Sequence, residues 1–162
     1  MSSSIFTEKS KLINIGIVVS LLPVCALMGF LLWQFASETS TAAKVFDIVI
    51  LIIVLSSIVL LLSINLILNV NQDFIEIKYF PFKTTTINRS DIVLCEINKI
   101  NSLSEFGGYG MKKSKVYGKG YTTKGDLILT IKKSNEELIS VSVFDKEHLA
   151  NVLLNNGYNL KS

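Results

Sequence analysis

Two long apolar runs fill most of the first seventy residues, and a shorter-period pattern follows them. Leu12 to Phe35 carries no charged residue, and neither does Ile48 to Val70. A helix rises 1.5 Å per residue and needs about 20 apolar residues to cross a hydrocarbon core about 30 Å thick. Both runs therefore predict transmembrane helices, over 12–35 and 45–70. Residues 1–11 become a short tail, and residues 36–44 a link that allows only a tight antiparallel hairpin. From Asn71 the period changes to two. In FIEIKYF, Ile75, Ile77 and Tyr79 alternate with Glu76 and Lys78, as in a half-buried strand. TTTIN, IVLCEINKI, DLILTIK and LISVSV read as further strands, with turn residues at 88–91 and 133–137. Asp145 is placed to cap a last helix, with Phe144 and Leu149 as its hydrophobic staple. Leu149, Val152 and Leu153 share a face of that helix, and Gly157 suits the left-handed position after it. The expected architecture is a membrane α-helical hairpin followed, over 71–162, by an α+β domain of bent antiparallel sheet closed by the C-terminal helix.

Within the runs, polar and small residues mark packing positions. Gly16 and Ser20 are four apart, a spacing that lets another helix approach. Ser56 and Ser63 share a helix face, and Asn65 and Asn69 form a further polar stripe. Polar side chains in lipid take partners, so Gly16, Ser20, Ser56, Ser63 and Asn65 are candidate intramembrane packing residues, within the hairpin or toward other subunits. Lys9 and Lys11 precede the first run, Lys44 stands alone in the link, and thirteen of the sixteen Lys and Arg follow Val70. By the positive-inside rule both termini are expected in the cytoplasm, the 36–44 loop outside, and the protein multi-pass.

The stretch EFGGYGMKKSKVYGKGY, residues 105–121, concentrates five glycines, four aromatics and four lysines. A phosphate loop needs Ser or Thr after Gly-Lys and a following helix, but Gly118-Lys119 is followed by Gly120 and then a strand pattern. The dinucleotide pattern fails as well, since Gly108-Tyr109-Gly110 runs into Met111-Lys112-Lys113. Stacking on single-stranded nucleic acid would suit interleaved aromatics and lysines, yet a net charge of +3 is small for such a binder. A structural corner explains more of the residues. Gly107, Gly108 and Gly110 permit positive φ and sharp bends. Gly118 and Gly120, two apart in a strand, share a face that a neighbouring backbone or ring can approach. Tyr109, Lys112, Lys113, Lys115 and Lys119 are then the candidate contacts with a partner or with lipid headgroups.

The order IEIKYFPF, TTTINRSDI, EFGGYG, VYGKGYTTKGDLILTI and FDKEHLANVL resembles the bacterial pleckstrin-homology-like proteins, small membrane proteins with a strand-rich domain after one or two transmembrane helices. The likeness covers about residues 73–156, and the Gly-Gly-aromatic-Gly stretch is its most specific part. It implies a PH-like bent antiparallel barrel of about seven strands capped by the C-terminal helix, in the bacterial inner membrane. It does not imply phosphoinositide binding, because only Lys78 and Lys83 lie where inositide-binding members carry a compact basic cluster.

Composition adds exclusions. Cys25 and Cys95 have neither disulfide nor metal spacing. His148 is the one histidine, with no Cys or second His near it, and no nucleophile-elbow or HExxH motif occurs. No catalytic residue, cofactor or metal is expected. The function expected is a non-catalytic, membrane-anchored binding module, an accessory subunit of a larger inner-membrane complex, contacting the lipid bilayer and membrane protein partners but no nucleic acid. The alternatives are a sensor of anionic lipid headgroups through the loop lysines, and an immunity protein acting at the membrane.

Overall fold

In the computed structural model the described residues are 6–11, 26, 29–30 and 41–161. They fall into two compact units, one of Met1–Leu12 with Asn65–Ser162, the other of Ile13–Ile64.

The second unit contains helix α1 (Thr41–Ser63). Ser56 donates to the Ile52 and Ile53 carbonyls and Ser63 to the Val59 carbonyl, so both hydroxyls are satisfied within their own helix. The apolar run is divided here: α1 stops at Ser63, and Asn65 opens a strand. The charge-free part left in the helix is Ile48–Ser63, about 24 Å at 1.5 Å per residue and short of the span a membrane requires. Among the described residues no helix is long and apolar enough to cross a membrane. The expected hairpin of two transmembrane helices and the multi-pass inner-membrane localisation, with both termini cytoplasmic, are corrected accordingly. Of the residues singled out for packing within that hairpin, Ser56 and Ser63 bond carbonyls of their own helix and Asn65 opens a strand. Gly16, Ser20 and most of the run 12–35 lie outside the described residues.

Among the described residues the other unit has ten strands. β1 (Phe6–Lys11), β2 (Asn65–Val70), β3 (Phe74–Phe80) and β4 (Lys83–Asn88) form an antiparallel sheet in that order. β5 (Ile92–Lys99), β6 (Gly110–Ser114), β7 (Gly118–Thr122), β8 (Leu127–Lys133), β9 (Leu138–Val143) and β10 (Leu160–Lys161) form a second sheet, ordered β10-β5-β8-β9-β7-β6. Its β7–β9 and β10–β5 pairs are parallel. The expected seven-stranded PH-like barrel of an α+β domain is therefore corrected to a predominantly β unit of two sheets, four-stranded and six-stranded, without closure. The difference arises because β1, β2, β6 and β10 lie in segments whose sequence pattern read as tail, helix, loop or helix end.

The core follows the period of two where one face is wet. Leu66, Leu68 and Val70 of β2, and Ile75, Ile77 and Tyr79 of β3, are buried while their neighbours are half-exposed. β8 and β9 bury consecutive residues, Ile128–Ile131 and Ile139–Val143, because both of their faces are covered. The polar members are satisfied: Thr130 and Ser140 share a hydrogen bond of 3.1 Å, Ser140 donates to the Tyr117 carbonyl at 2.7 Å, and Ser142 accepts from Thr123 N–H at 3.0 Å. The sheets are tied by Thr85–Tyr121 hydroxyls at 2.7 Å and Ser10–Thr123 at 3.0 Å.

Two helices complete the unit. α2 (Ser102–Phe106) delivers the Phe106 ring against Ile100, Ile128 and Tyr117. That ring occupies the space where a Cβ on Gly120 would stand, and the Leu138 carbonyl does the same at Gly118. α3 (Lys146–Asn155) is capped by Asp145, which accepts from His148 N–H at 2.9 Å, and it buries Leu149, Val152 and Leu153. Glu8 of β1 accepts from Phe144 N–H at 2.9 Å and Asp145 N–H at 3.2 Å, joining the first strand to the start of α3. Tyr158 donates to the Asn71 carbonyl at 2.8 Å, and Arg89 lies over its ring.

Candidate functional site

The outer face of the four-stranded sheet carries a cross-strand row, Lys9–Ile67–Lys78–Thr84, one residue from each strand in register. At the end of this row the chain reverses from β3 to β4 through Tyr79–Phe82, closed by a hydrogen bond from Phe82 N–H to the Tyr79 carbonyl at 2.8 Å, with the Phe80–Pro81 peptide cis. Phe80 and Phe82 are 56% and 53% exposed, so the turn presents apolar rings to solvent next to lysines. Between row and turn lies a groove of about 410 Å³. Ile67, Tyr79 and the turn supply its apolar walls, and Lys9, Lys78 and Lys83 its charge, with Asn65 and Thr84 adding polar atoms.

The three lysines come from separate places in the chain: an N-terminal strand, a central strand and the start of β4. Lys78 pairs with Glu76 at 2.9 Å. Burial alone would raise the pKa of Glu76, but the Asn69 amide, which donates at 2.9 Å, and the Lys78 ammonium outweigh it and hold that carboxyl below its ordinary range. Lys9 and Lys83 have no ion-pair partner among the described residues. Lys83 instead stands beside Lys119 of β7. The Tyr121 hydroxyl is the chief reason that the Lys119 pKa is raised, against the opposing effect of burial, and Lys119 Nζ lies 5.6 Å from the Tyr121 ring centroid. Two ammonium groups side by side repel each other, and an anion between them relieves that repulsion. The arrangement can thus hold an anionic group against an apolar surface.

The candidate contacts from the sequence are dispersed. Lys112 and Lys113 lie on β6, at one edge of the six-stranded sheet, opposite Gly120 and Lys119. Lys115 is in the turn after β6, and Tyr109 is exposed before it. None of these lines the groove; Lys119 alone approaches it, through Lys83. The glycines behave as their chemistry predicts, with φ of 67°, 131° and 109° at Gly107, Gly108 and Gly110. Sequence reasoning did not offer Lys9, Lys78, Lys83 or the aromatic turn as contacts: Lys9 served only to orient the chain, and Lys78 and Lys83 counted as too few for an inositide-binding cluster. For Lys9 the available signal was the alternation Thr7, Glu8, Lys9, Ser10, Lys11, weak because every residue in it is polar. His148 sits on the exposed first turn of α3, its ring 5.0 Å from that of Phe6. Burial pushes the Cys95 thiol up to about 12, which makes it inert as a nucleophile at neutral pH. Among the described residues no three His, Cys, Asp or Glu side chains gather as a metal set.

No protein-family model, curated protein or solved structure matches this chain.

Proposed function

We propose that this chain is a non-catalytic binding module that holds an anionic partner in the groove at the β3–β4 turn, as an accessory component of a larger protein assembly. The observation that carries this reading is the convergence of Lys9, Lys78 and Lys83 on one groove with apolar walls. Lysine supplies a compact charge with rotatable donors, suited to carboxylate or phosphate. The ionic part of the affinity is expected to fall with added salt, since these charges are exposed enough to be screened.

Fluorescence anisotropy of the full chain with labelled oligoglutamate tests the reading. Binding should weaken about tenfold or more in Lys9→Glu/Lys83→Glu, because two attractive contacts become repulsive, and change little in Lys112→Glu, which stands on the opposite face of β6 from the Lys113–Lys119 pair. No binding to oligoglutamate, pyrophosphate or anionic vesicles would overturn it, as would equal losses in the two variants. A second reading, anionic lipid headgroups as the ligand, is favoured by Phe80 and Phe82 standing exposed beside the lysines. In that case vesicles rich in phosphatidylserine bind and oligoglutamate does not.

A further inference from the structure

Two open sheets leave four edge strands among the described residues: β1, β4, β6 and β10. An edge strand offers a row of unpaired backbone N–H and C=O groups to any extended chain, and proteins usually guard it with charge, brevity or a bend. Three of these edges are guarded. β1 carries Glu8, Lys9 and Lys11 within six residues. β6 carries Lys112 and Lys113 and begins at Gly110 in positive φ. β10 has two residues. β4 has a single charge, Lys83 at its first position, and neither brevity nor a bend. It pairs with β3 at six successive positions without a bulge, and Thr84–Ile87 holds no charge and no proline. Its β-branched Thr84 and Thr86 are exposed, and such residues favour a pleated, paired state.

Near this edge lysines outnumber carboxylates: Glu76, opposite Thr86, is taken up in its ion pair with Lys78, and Lys83 has no ion-pair partner among the described residues. Lys83 opens β4, Lys119 stands beside Lys83, and Lys78 is the cross-strand partner of Thr84. Lys83 and Thr84 also form one wall of the lysine groove.

We propose that β4 is a strand-addition site for an extended acidic segment of a partner protein. The added strand hydrogen-bonds to the free edge of β4, and its carboxylates meet Lys83, Lys119 and Lys78. A strand added about 4.8 Å beyond β4 lies about two strand spacings from β3, within reach of a Lys–Glu pair extended toward each other. Backbone pairing supplies affinity and the lysines supply preference for acidic side chains. This rests on the anionic-ligand reading and names the class of partner.

The test uses the full chain and the peptide Val-Glu-Val-Glu-Val-Glu-Val. Two further versions carry N-methyl groups on alternate backbone nitrogens, one on each alternate set, and a fourth has lysine in place of glutamate. An added strand turns only one set of its N–H groups toward β4. One methylated peptide should therefore lose about tenfold or more in affinity, two or more hydrogen bonds being removed, while the other binds like the parent. The lysine peptide should bind weakest. Hydrogen exchange should slow at amides of Thr84–Ile87 when the parent peptide is added, and Lys83→Glu should weaken the parent while Lys112→Glu does not. Equal binding by both methylated peptides, or no change in exchange at β4, overturns strand addition. If oligoglutamate still binds in that case, the anionic-ligand reading stands without it. Protection of β4 that rises with protein concentration and without peptide would assign the edge to a second copy of this chain and also overturn the proposal.

Discussion

Glu8 joins two parts of the chain separated by more than a hundred residues, and its chemistry is set by that position. Its carboxylate receives the Phe144 and Asp145 N–H groups at the start of α3. Burial raises its pKa above the ordinary 4.5; the two N–H donors oppose the shift and the nearby Asp145 charge adds to it. The folded chain therefore binds this proton more tightly than the unfolded chain does. Stability from Glu8 is fully present below about 4.5 and is lost as pH rises through the folded value. Glu76 and Glu137 act in the opposite sense, their lowered values removing stability as pH falls below 4.5. Urea midpoints measured from pH 4.5 upward should decline over the first part of that range in the wild type. Glu8→Gln, which cannot titrate, should lose that decline; an unchanged slope would show that Glu8 is not the group responsible. Nothing in the string Phe6–Lys11 announces this role, because a lone Glu in a polar segment reads as solvated. Gly118 and Gly120 are the contrary case. Two glycines in one strand leave room on one face whatever the fold, and the structure fills that room with the Leu138 carbonyl and the Phe106 ring.

At the level of elements, the strand β2 shows where a sequence pattern is ambiguous. Asn65 and Asn69 are four apart, which places them on one face of a helix and equally on one face of a strand. The run Ile64–Val70 is apolar enough to continue a helix, and only its neighbours β1 and β3 decide that it does not. Once it is a strand, Leu66, Leu68 and Val70 face the core and Ile67 faces the groove. Leu68→Ala should therefore cost about 2–5 kcal/mol, as for a buried leucine. Ile67→Ala, half-exposed, should cost markedly less and weaken ligand binding instead. Urea denaturation of both variants checks this, and similar costs would contradict the register. By contrast β3, β5, β8, β9 and α3 were legible in the sequence, since alternation, β-branching, an Asp cap and a staple all pointed the same way. The edge strand β6 was not, because glycine and lysine are depleted from strands by intrinsic preference and are tolerated here by solvent.

For the whole molecule, the register of β1 with β2 has a practical consequence. Lys11 pairs with Asn65, so the last residue of β1 and the first of β2 lie side by side, while Ile13–Ile64 between them forms the other unit. Replacing residues 12–64 by Asn-Gly, the two-residue turn that best fits a hairpin, should leave a cooperatively folding β unit with dispersed amide resonances. Collapse of that chain into an unfolded or aggregated state would show that the residues removed contribute to its stability. The sequence by itself determined the two apolar runs, most strands of the six-stranded sheet, the capped C-terminal helix and the glycine positions, because each depends on local periodicity or on backbone freedom within a few residues. The end of α1, the pairing of an N-terminal strand with residues 65–70, the open sheets in place of a barrel, the lysine groove and the free edge of β4 were decided only by tertiary structure. Each depends on hydrogen bonds or charges brought together from distant segments, and side-chain period alone does not say which strand becomes a neighbour.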